Sequence, residues 1–165
     1  MTSGRRYLVI PRAVVVSGQH LLLVREAAGH PPPSPGRWHL PGGEVLAGES
    51  PQKAAQRIVK GTSGLELEVC GCLDALARRG KSRTTGRAVP LLHLFFLCRP
   101  GDAADPALLP NGTDSPQLEQ AAAGPTPPPG GSAWGWTDLA SGLAALKHDV
   151  VGPAVIQYLQ SLQSS

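Results

Sequence analysis

Glu44 and Glu49 are the carboxylates whose setting in this chain could support chemistry. Both follow a Pro41-Gly42-Gly43 turn and precede a segment that reads as a helix, so a loop holds them near one helix end. Two carboxylates placed this way can hold one hard divalent cation, Mg²⁺ or Mn²⁺. They fit equally a solvated loop carboxylate and a structural hydrogen-bond acceptor. Arg57 either pairs with Glu49 or faces solvent. No other catalytic set stands out. His20, His30, His39, His93 and His148 show no metal-ligand spacing. His93 lies inside an apolar run and reads as a hydrogen-bonded core histidine. No G-x-S-x-G elbow accompanies the serines.

The elements that must position these residues follow from periodicity. Tyr7 to Val16 is rich in β-branched residues and reads as a strand, and Ser17-Gly18-Gln19 as a turn into a second strand, His20 to Arg25. A proline-stiffened loop, 27–36, leads to an extended piece, Arg37 to Leu40. Ser50-Pro51 is a helix start, with serine as cap and proline at the first helical position. Ala54, Ala55, Ile58 and Val59 repeat at helical spacing and face the core, and Gly61 is expected to end the helix. Leu65 to Leu76 and Val89 to Cys98 read as strands joined by a basic loop. In the second of these both faces are apolar apart from His93, the pattern of a central strand. Residues 100–132 are dominated by Pro, Gly, Ala and Asp and read as a flexible insertion. A short strand at Ala133 to Trp136, a helical turn capped by Thr137 or Asp138, and a closing helix from Pro153 to Leu162 complete the chain.

The stretch from Trp38 to Leu65, WHLPGGEVLAGESPQKAAQRIVKGTSGL, resembles the nudix box, the signature of the nudix hydrolases. That pattern is Gly, five residues, Glu, seven residues, then Arg-Glu-aliphatic-x-Glu-Glu-x-Gly-aliphatic. Gly43, Glu49, Arg57, Val59, Gly64 and Leu65 stand at the required spacings. Ile58, Gly61 and Thr62 stand where the three glutamates after the arginine belong. Trp136-Thr137-Asp138-Leu139 also resembles a tryptophan, acidic residue, leucine run that lies downstream of the box in the family. The resemblance covers residues 6–163 without the insertion. It implies an α/β nudix fold, a mixed β-sheet sandwiched between α-helices, as a single domain over 1–165 with 100–132 inserted. In the family, the box glutamates hold Mg²⁺ or Mn²⁺ against a diphosphate. Positions 58, 61 and 62 share one helical face, and here that face has lost its carboxylates.

Three functions fit the resemblance. The first is a catalytically impaired nudix domain that binds a nucleotide or nucleotide-like ligand, or serves as a protein-interaction module. The second is a working metal-dependent hydrolase of nucleoside diphosphates linked to another moiety, using Glu44, Glu49 and acids from other loops. Asp74, Asp138 and Asp149 cannot be placed from sequence. The third is a scaffold read by a protein partner through the proline-rich stretches Pro31 to Pro35 and Pro125 to Pro129. Trp136, with Trp134 beside it, either stacks on a ligand base or packs in the core. Trp136 and Asp138 are the candidate ligand-binding residues.

Composition narrows the class further. At 165 residues one domain with a real core is expected. Gly 20 and Pro 17 argue for long loops around it, and the net charge of +3 is modest. The basic residues Arg78, Arg79, Lys81, Arg83 and Arg87 read as a solvated hairpin loop, with phosphate attraction as the alternative. Aromatics at 4% argue against the stacking platforms of a single-strand nucleic-acid binder. Cys70, Cys72 and Cys98 read as buried reduced thiols of an intracellular, cytoplasmic protein. The acid-free stretch before Glu26 also fits a mitochondrial leader. The sequon Asn111-Gly112-Thr113 is discounted because no secretory signal precedes it. No apolar run is long enough to span a membrane.

Overall fold

The computed structural model describes residues 6–25, 38–82, 85–101 and 133–164, apart from the side chains of Ala133 and His148. The proline-rich stretch at 27–36, the insertion from 102, its sequon and Pro125 to Pro129, and Arg83 lie outside the described residues.

Leu8–Ser17 (β1) is a β-branched run with apolar side chains on both faces, and it sits inside the sheet. Gly18, at φ 59°, turns it into His20–Arg25 (β2). That positive φ suits the tight turn of a twisted hairpin. Trp38–His39 (β3) pairs with the far end of β2. Leu67–Lys81 (β4) and Ala88–Pro100 (β5) form a long antiparallel ribbon, and β5 runs parallel to β1 from Leu8↔Leu91 to Val15↔Cys98. Ala133–Asp138 (β6) closes the other edge of β2. The sheet order is β3-β2-β1-β5-β4, with β6 on β2.

Strand alternation divides the core into two layers. Val14, Leu21, Leu23 and Phe95 face the helices Leu139–Ala145 (α2) and Pro153–Gln163 (α3), where Leu139, Val155 and Leu159 are buried. Ala13, Val15, Leu22, Phe96 and Cys98 face the helix Pro51–Ser63 (α1), through Ala55 and Val59. A mixed sheet between helices is therefore the observed architecture, and β5 is an inner strand, as its two apolar faces require.

Several local expectations are corrected. Gly61 does not end α1. The helix continues to Ser63 and stops at Gly64, whose φ of 77° lets its N–H reach the Lys60 carbonyl at 2.8 Å. Ser50 caps the start, accepting from the Lys53 N–H at 3.2 Å. Arg78, Arg79 and Lys81 belong to β4 rather than to a loop, because the ribbon extends to Lys81. Cys70 and Cys72 are exposed and only Cys98 is buried. Register shifts between Val69 and Gly71 and between Cys72 and Asp74 break the alternation there. His93 is buried and stacked on Phe95 at 6.2 Å between centroids, but its Nδ1 has no hydrogen-bond partner among the described residues.

Two stability predictions follow from these features. Gly61→Ala adds a Cβ that meets nothing within 4 Å and should stabilise by about 1 kcal/mol through helix propensity. Gly64→Ala forces a left-handed backbone on a side chain and should destabilise by about 1–2 kcal/mol. Urea unfolding of the two variants would show opposite shifts, and equal shifts would contradict the observed cap. Burial, with Arg12 as the next cause, lowers the His93 pKa from 6.5 to about 4. The fold therefore holds a neutral His93 while the unfolded chain protonates, so the His93 contribution to stability declines as pH drops below 6.5 and levels off once pH passes below about 4. The loss amounts to about 3 kcal/mol. His93→Leu should flatten the stability slope between pH 6.5 and 4.5, and an unchanged slope would assign that slope to other groups.

Candidate functional site

The glycine turn that opens the box is built onto β1. Ala13 N–H donates to the Pro41 carbonyl at 2.8 Å, and Gly43 N–H donates to the Pro11 carbonyl at 3.3 Å. Gly42 must lack a side chain, since a Cβ there would lie 2.5 Å from Arg12 Cδ and 2.6 Å from the Pro11 oxygen. Beneath the turn, the Arg12 guanidinium is buried and bonded to Asp149 Oδ2 at 2.6 Å, with side-chain exposures of 7% and 6%. The same guanidinium donates to the Leu40 carbonyl at 3.0 Å and the Val150 carbonyl at 3.2 Å. Asp149 returns the bond to the main chain, accepting from Leu40 N–H at 2.9 Å and Val150 N–H at 2.7 Å. Arg12 also lies over the Phe95 ring, 5.8 Å from its centroid.

The loop beyond the turn is clamped by a carboxylate–guanidinium fork. Arg57 Nε donates to Glu49 Oε2 at 2.8 Å and Arg57 Nη2 to Glu49 Oε1 at 3.0 Å. Leu46 N–H adds a bond to Glu49 Oε1 at 3.1 Å, and Arg57 Nη2 reaches the Glu44 carbonyl at 3.1 Å. The Arg57 hydrogen bond, followed by that of Leu46, holds the Glu49 carboxyl below its usual range, and Glu49 in turn raises the Arg57 pKa. Both partners stay ionised. Arg57 thus pairs with Glu49 and does not merely face solvent. Glu44 Oε1 accepts from the Ser82 hydroxyl at 3.4 Å, tying the loop to the tip of the β4–β5 ribbon.

The face of α1 at 58, 61 and 62 carries no carboxylate. Ile58 is half-buried, and its Cδ1 lies 3.2 Å from where a Cβ on Gly43 would stand, so the two close against each other. Gly61 is exposed, and the Thr62 hydroxyl donates back to the Ile58 carbonyl at 3.1 Å. Among the described residues no group of three His, Cys, Asp or Glu side chains converges as a metal site. Both Glu49 oxygens are engaged. Divalent Mg²⁺ or Mn²⁺ needs several oxygen ligands, and the side chains at these positions do not fit such an ion.

The other acids have structural posts. Asp74 accepts from Ala154 N–H at 3.0 Å, capping α3, and from Ala75 N–H at 2.8 Å. Asp138 caps α2, accepting from Ser141 N–H at 2.7 Å. Trp136 has 0% exposure and packs with Leu22 and Val59, so it offers no face to a base, which corrects its candidacy as a ligand-binding residue. The candidate pair Trp136 and Asp138 is therefore core and helix cap. Sequence reasoning did not single out Arg12. The available signal was a cation inside the apolar run VIPRAVVV, since a charge there must be paired.

A NUDIX domain family model matches residues 8–134. The chain belongs to the nudix hydrolase family, as the box frame implied. Among solved structures, a UDP-X diphosphatase is 22% identical, with 61% of this chain and 45% of that chain covered and a TM-score of 0.46. The chain thus spans less than half the length of that protein. A NUDIX hydrolase from Nitrosomonas europaea is 17% identical, with coverage of 96% and 90% and a TM-score of 0.55. A C. elegans Ap4A hydrolase is also 17% identical, with coverage of 97% and 100% and a TM-score of 0.56. The latter two likenesses show the shared fold. No curated protein matches the chain. Among the described residues no helix is long and apolar enough to cross a membrane.

The buried ion pair gives a direct test of how the loop is held. Asp149→Asn leaves the Arg12 charge buried without its counter-ion and should destabilise by about 3–5 kcal/mol. The double variant Arg12→Met/Asp149→Leu should recover much of that loss in urea unfolding. A double variant as weak as the single one would mean that packing, not charge pairing, carries the effect.

Proposed function

We propose that this chain is a nudix-fold binding module whose box no longer performs metal-assisted hydrolysis, and that its ligand is a nucleotide or nucleotide-like molecule. The contact of Ile58 with Gly43 carries this reading. It puts an apolar side chain where the family's box places a carboxylate, against the turn that opens the box. Metal is the main electrostatic stabiliser in metal-assisted attack on phosphorus. Among the described residues no set of ligands for it converges at the box, which supports the loss of that route. The Glu49–Arg57 fork supports the same reading, because its bonds shape the loop and leave Glu49 no oxygen free of a partner.

Phosphate or nucleotide release from nucleoside diphosphates, dinucleotides and nucleotide sugars should stay at background with Mg²⁺ or Mn²⁺. Turnover that disappears with chelator and with Glu49→Gln would sink the proposal and favour the hydrolase built from Glu44, Glu49 and other acids. A complementary gain-of-function test restores the box. Ile58→Glu/Gly61→Glu/Thr62→Glu should acquire Mn²⁺ binding that the native chain lacks, read as thermal stabilisation. At a free metal concentration a hundredfold above Kd the gain would be about 2.7 kcal/mol. Equal Mn²⁺ stabilisation of the native chain would contradict this reading of the box.

A further inference from the structure

We infer that the outer edge of β4, from Ala77 to Lys81, takes up an acidic, extended segment of a partner protein as an added antiparallel strand. The inference is independent of the box and concerns a different surface.

β4 stands at the end of the sheet and pairs only with β5 among the described residues. Its first half is unsuited to further pairing. The register shifts between Val69 and Gly71 and between Cys72 and Asp74 bend it there. Asp74 then closes the edge, its carboxylate accepting from Ala154 N–H at 3.0 Å and Ala75 N–H at 2.8 Å. From Ala75 to Lys81 the register runs unbroken. Two bonds fix which main-chain groups face outward along it. Ser82 N–H donates to the Arg87 carbonyl at 3.0 Å, so Ser82 turns toward the returning strand. Ala75 N–H turns the other way, to the Asp74 carboxylate. By alternation, Leu76, Arg78 and Gly80 bond to β5, while Ala77, Arg79 and Lys81 present N–H and C=O away from it. Such a row is a template for another strand.

Charge selects the occupant. Arg78, Arg79 and Lys81 are exposed, and no ion pair engages them among the described residues. Arg79 and Lys81 stand on the sheet face of Leu94, and Arg78 on the face of Leu76. An antiparallel second copy centred here would set Arg79 against Arg79, and like charges directly opposite are destabilising. An acidic strand meets opposite charges at the same positions. In strand addition the main-chain bonds supply affinity, and alternate side chains supply the choice of partner. The pattern that fits is acidic, any, acidic, any, apolar. The acids then lie opposite Lys81 and Arg79, and the apolar residue lies opposite Ala77, which is exposed.

The probe is the capped peptide acetyl-Thr-Glu-Thr-Glu-Thr-Val-Thr-amide, titrated into the full chain at low salt. A fluorescein-labelled form gives affinity by anisotropy, and amide hydrogen exchange locates the bound strand. At saturation the N–H groups of Ala77, Arg79 and Lys81 should exchange at least about tenfold more slowly than in the free chain. Arg79→Glu/Lys81→Glu should weaken binding by at least about tenfold and leave the urea midpoint unchanged. N-methylation of the central glutamate, whose N–H would face β4, should weaken binding as much. N-methylation of the threonine that follows, whose N–H would face away, should spare it, and this arm needs no protein variant. A peptide with lysine in place of glutamate should not bind. Absence of binding, equal sensitivity to the two N-methylations, or indifference to the charge reversal would overturn the inference. So would protection of Ala77, Arg79 and Lys81 in the free chain. Protection that rises with concentration would assign the edge to a second copy, and protection independent of concentration to another segment of this chain.

Discussion

The buried pair of Arg12 and Asp149 is the constraint on which the site depends. A guanidinium and a carboxylate at 7% and 6% exposure are stable inside a protein only when their remaining hydrogen-bonding capacity is met. Here it is met by the main chain at Leu40 and Val150. That requirement joins three distant parts of the sequence: the middle of β1, the approach to the glycine turn, and the segment that leads into α3. Gly42 completes the arrangement, because the turn runs so close to Arg12 that any side chain there would collide with it. The position of the box loop is therefore set from below by a charge in β1, as well as by the helix that follows it.

Much of the fold was legible because its signals are local. The β-branched run of β1, the Ser50-Pro51 start and the alternation of β5 each state an element and a face. The box frame from Gly43 to Leu65 fixed the family through spacing alone. What was not legible depends on tertiary context. Gly61 has a strong breaking propensity, yet α1 runs past it because Ala54, Ala55 and Val59 anchor the helix to the sheet and Gly64 offers the better cap. The exposure of Cys70 and Cys72 follows from two register shifts in β4, which no periodicity announces. The basic residues read as a loop because charge marks solvent, and a two-stranded ribbon can also meet solvent. For the site, the Glu49–Arg57 pairing was one of two open readings. Asp149 had no sequence signal, since its partner lies at the other end of the chain. Trp136 shows the converse difficulty: a tryptophan in a short strand can stack or pack, and only the position of β6 beside β2 decides that it packs.

The box in this chain separates two kinds of work that the family pattern combines. Glu49, Arg57 and the glycines shape a loop through bonds that need no metal. Carboxylates at 58, 61 and 62 would do the opposite in the absence of a cation. Three negative charges at i, i+3 and i+4 repel one another on one helical face, by a few tenths of a kcal/mol for each exposed pair. Ile58, Gly61 and Thr62 carry no such repulsion. Ile58 adds apolar contact with the turn, and Thr62 satisfies its hydroxyl on the helix backbone. The helix then has only cations left, Lys53, Arg57 and Lys60. Two of these are neutralised by Glu49 and Glu66, and the third faces solvent at the start of the helix. A helix N-terminus already favours negative charge through its free N–H groups. A cation placed there instead works against the dipole and brings α1 no stability. Lys53 is thus a surface charge that the packing of α1 neither requires nor uses.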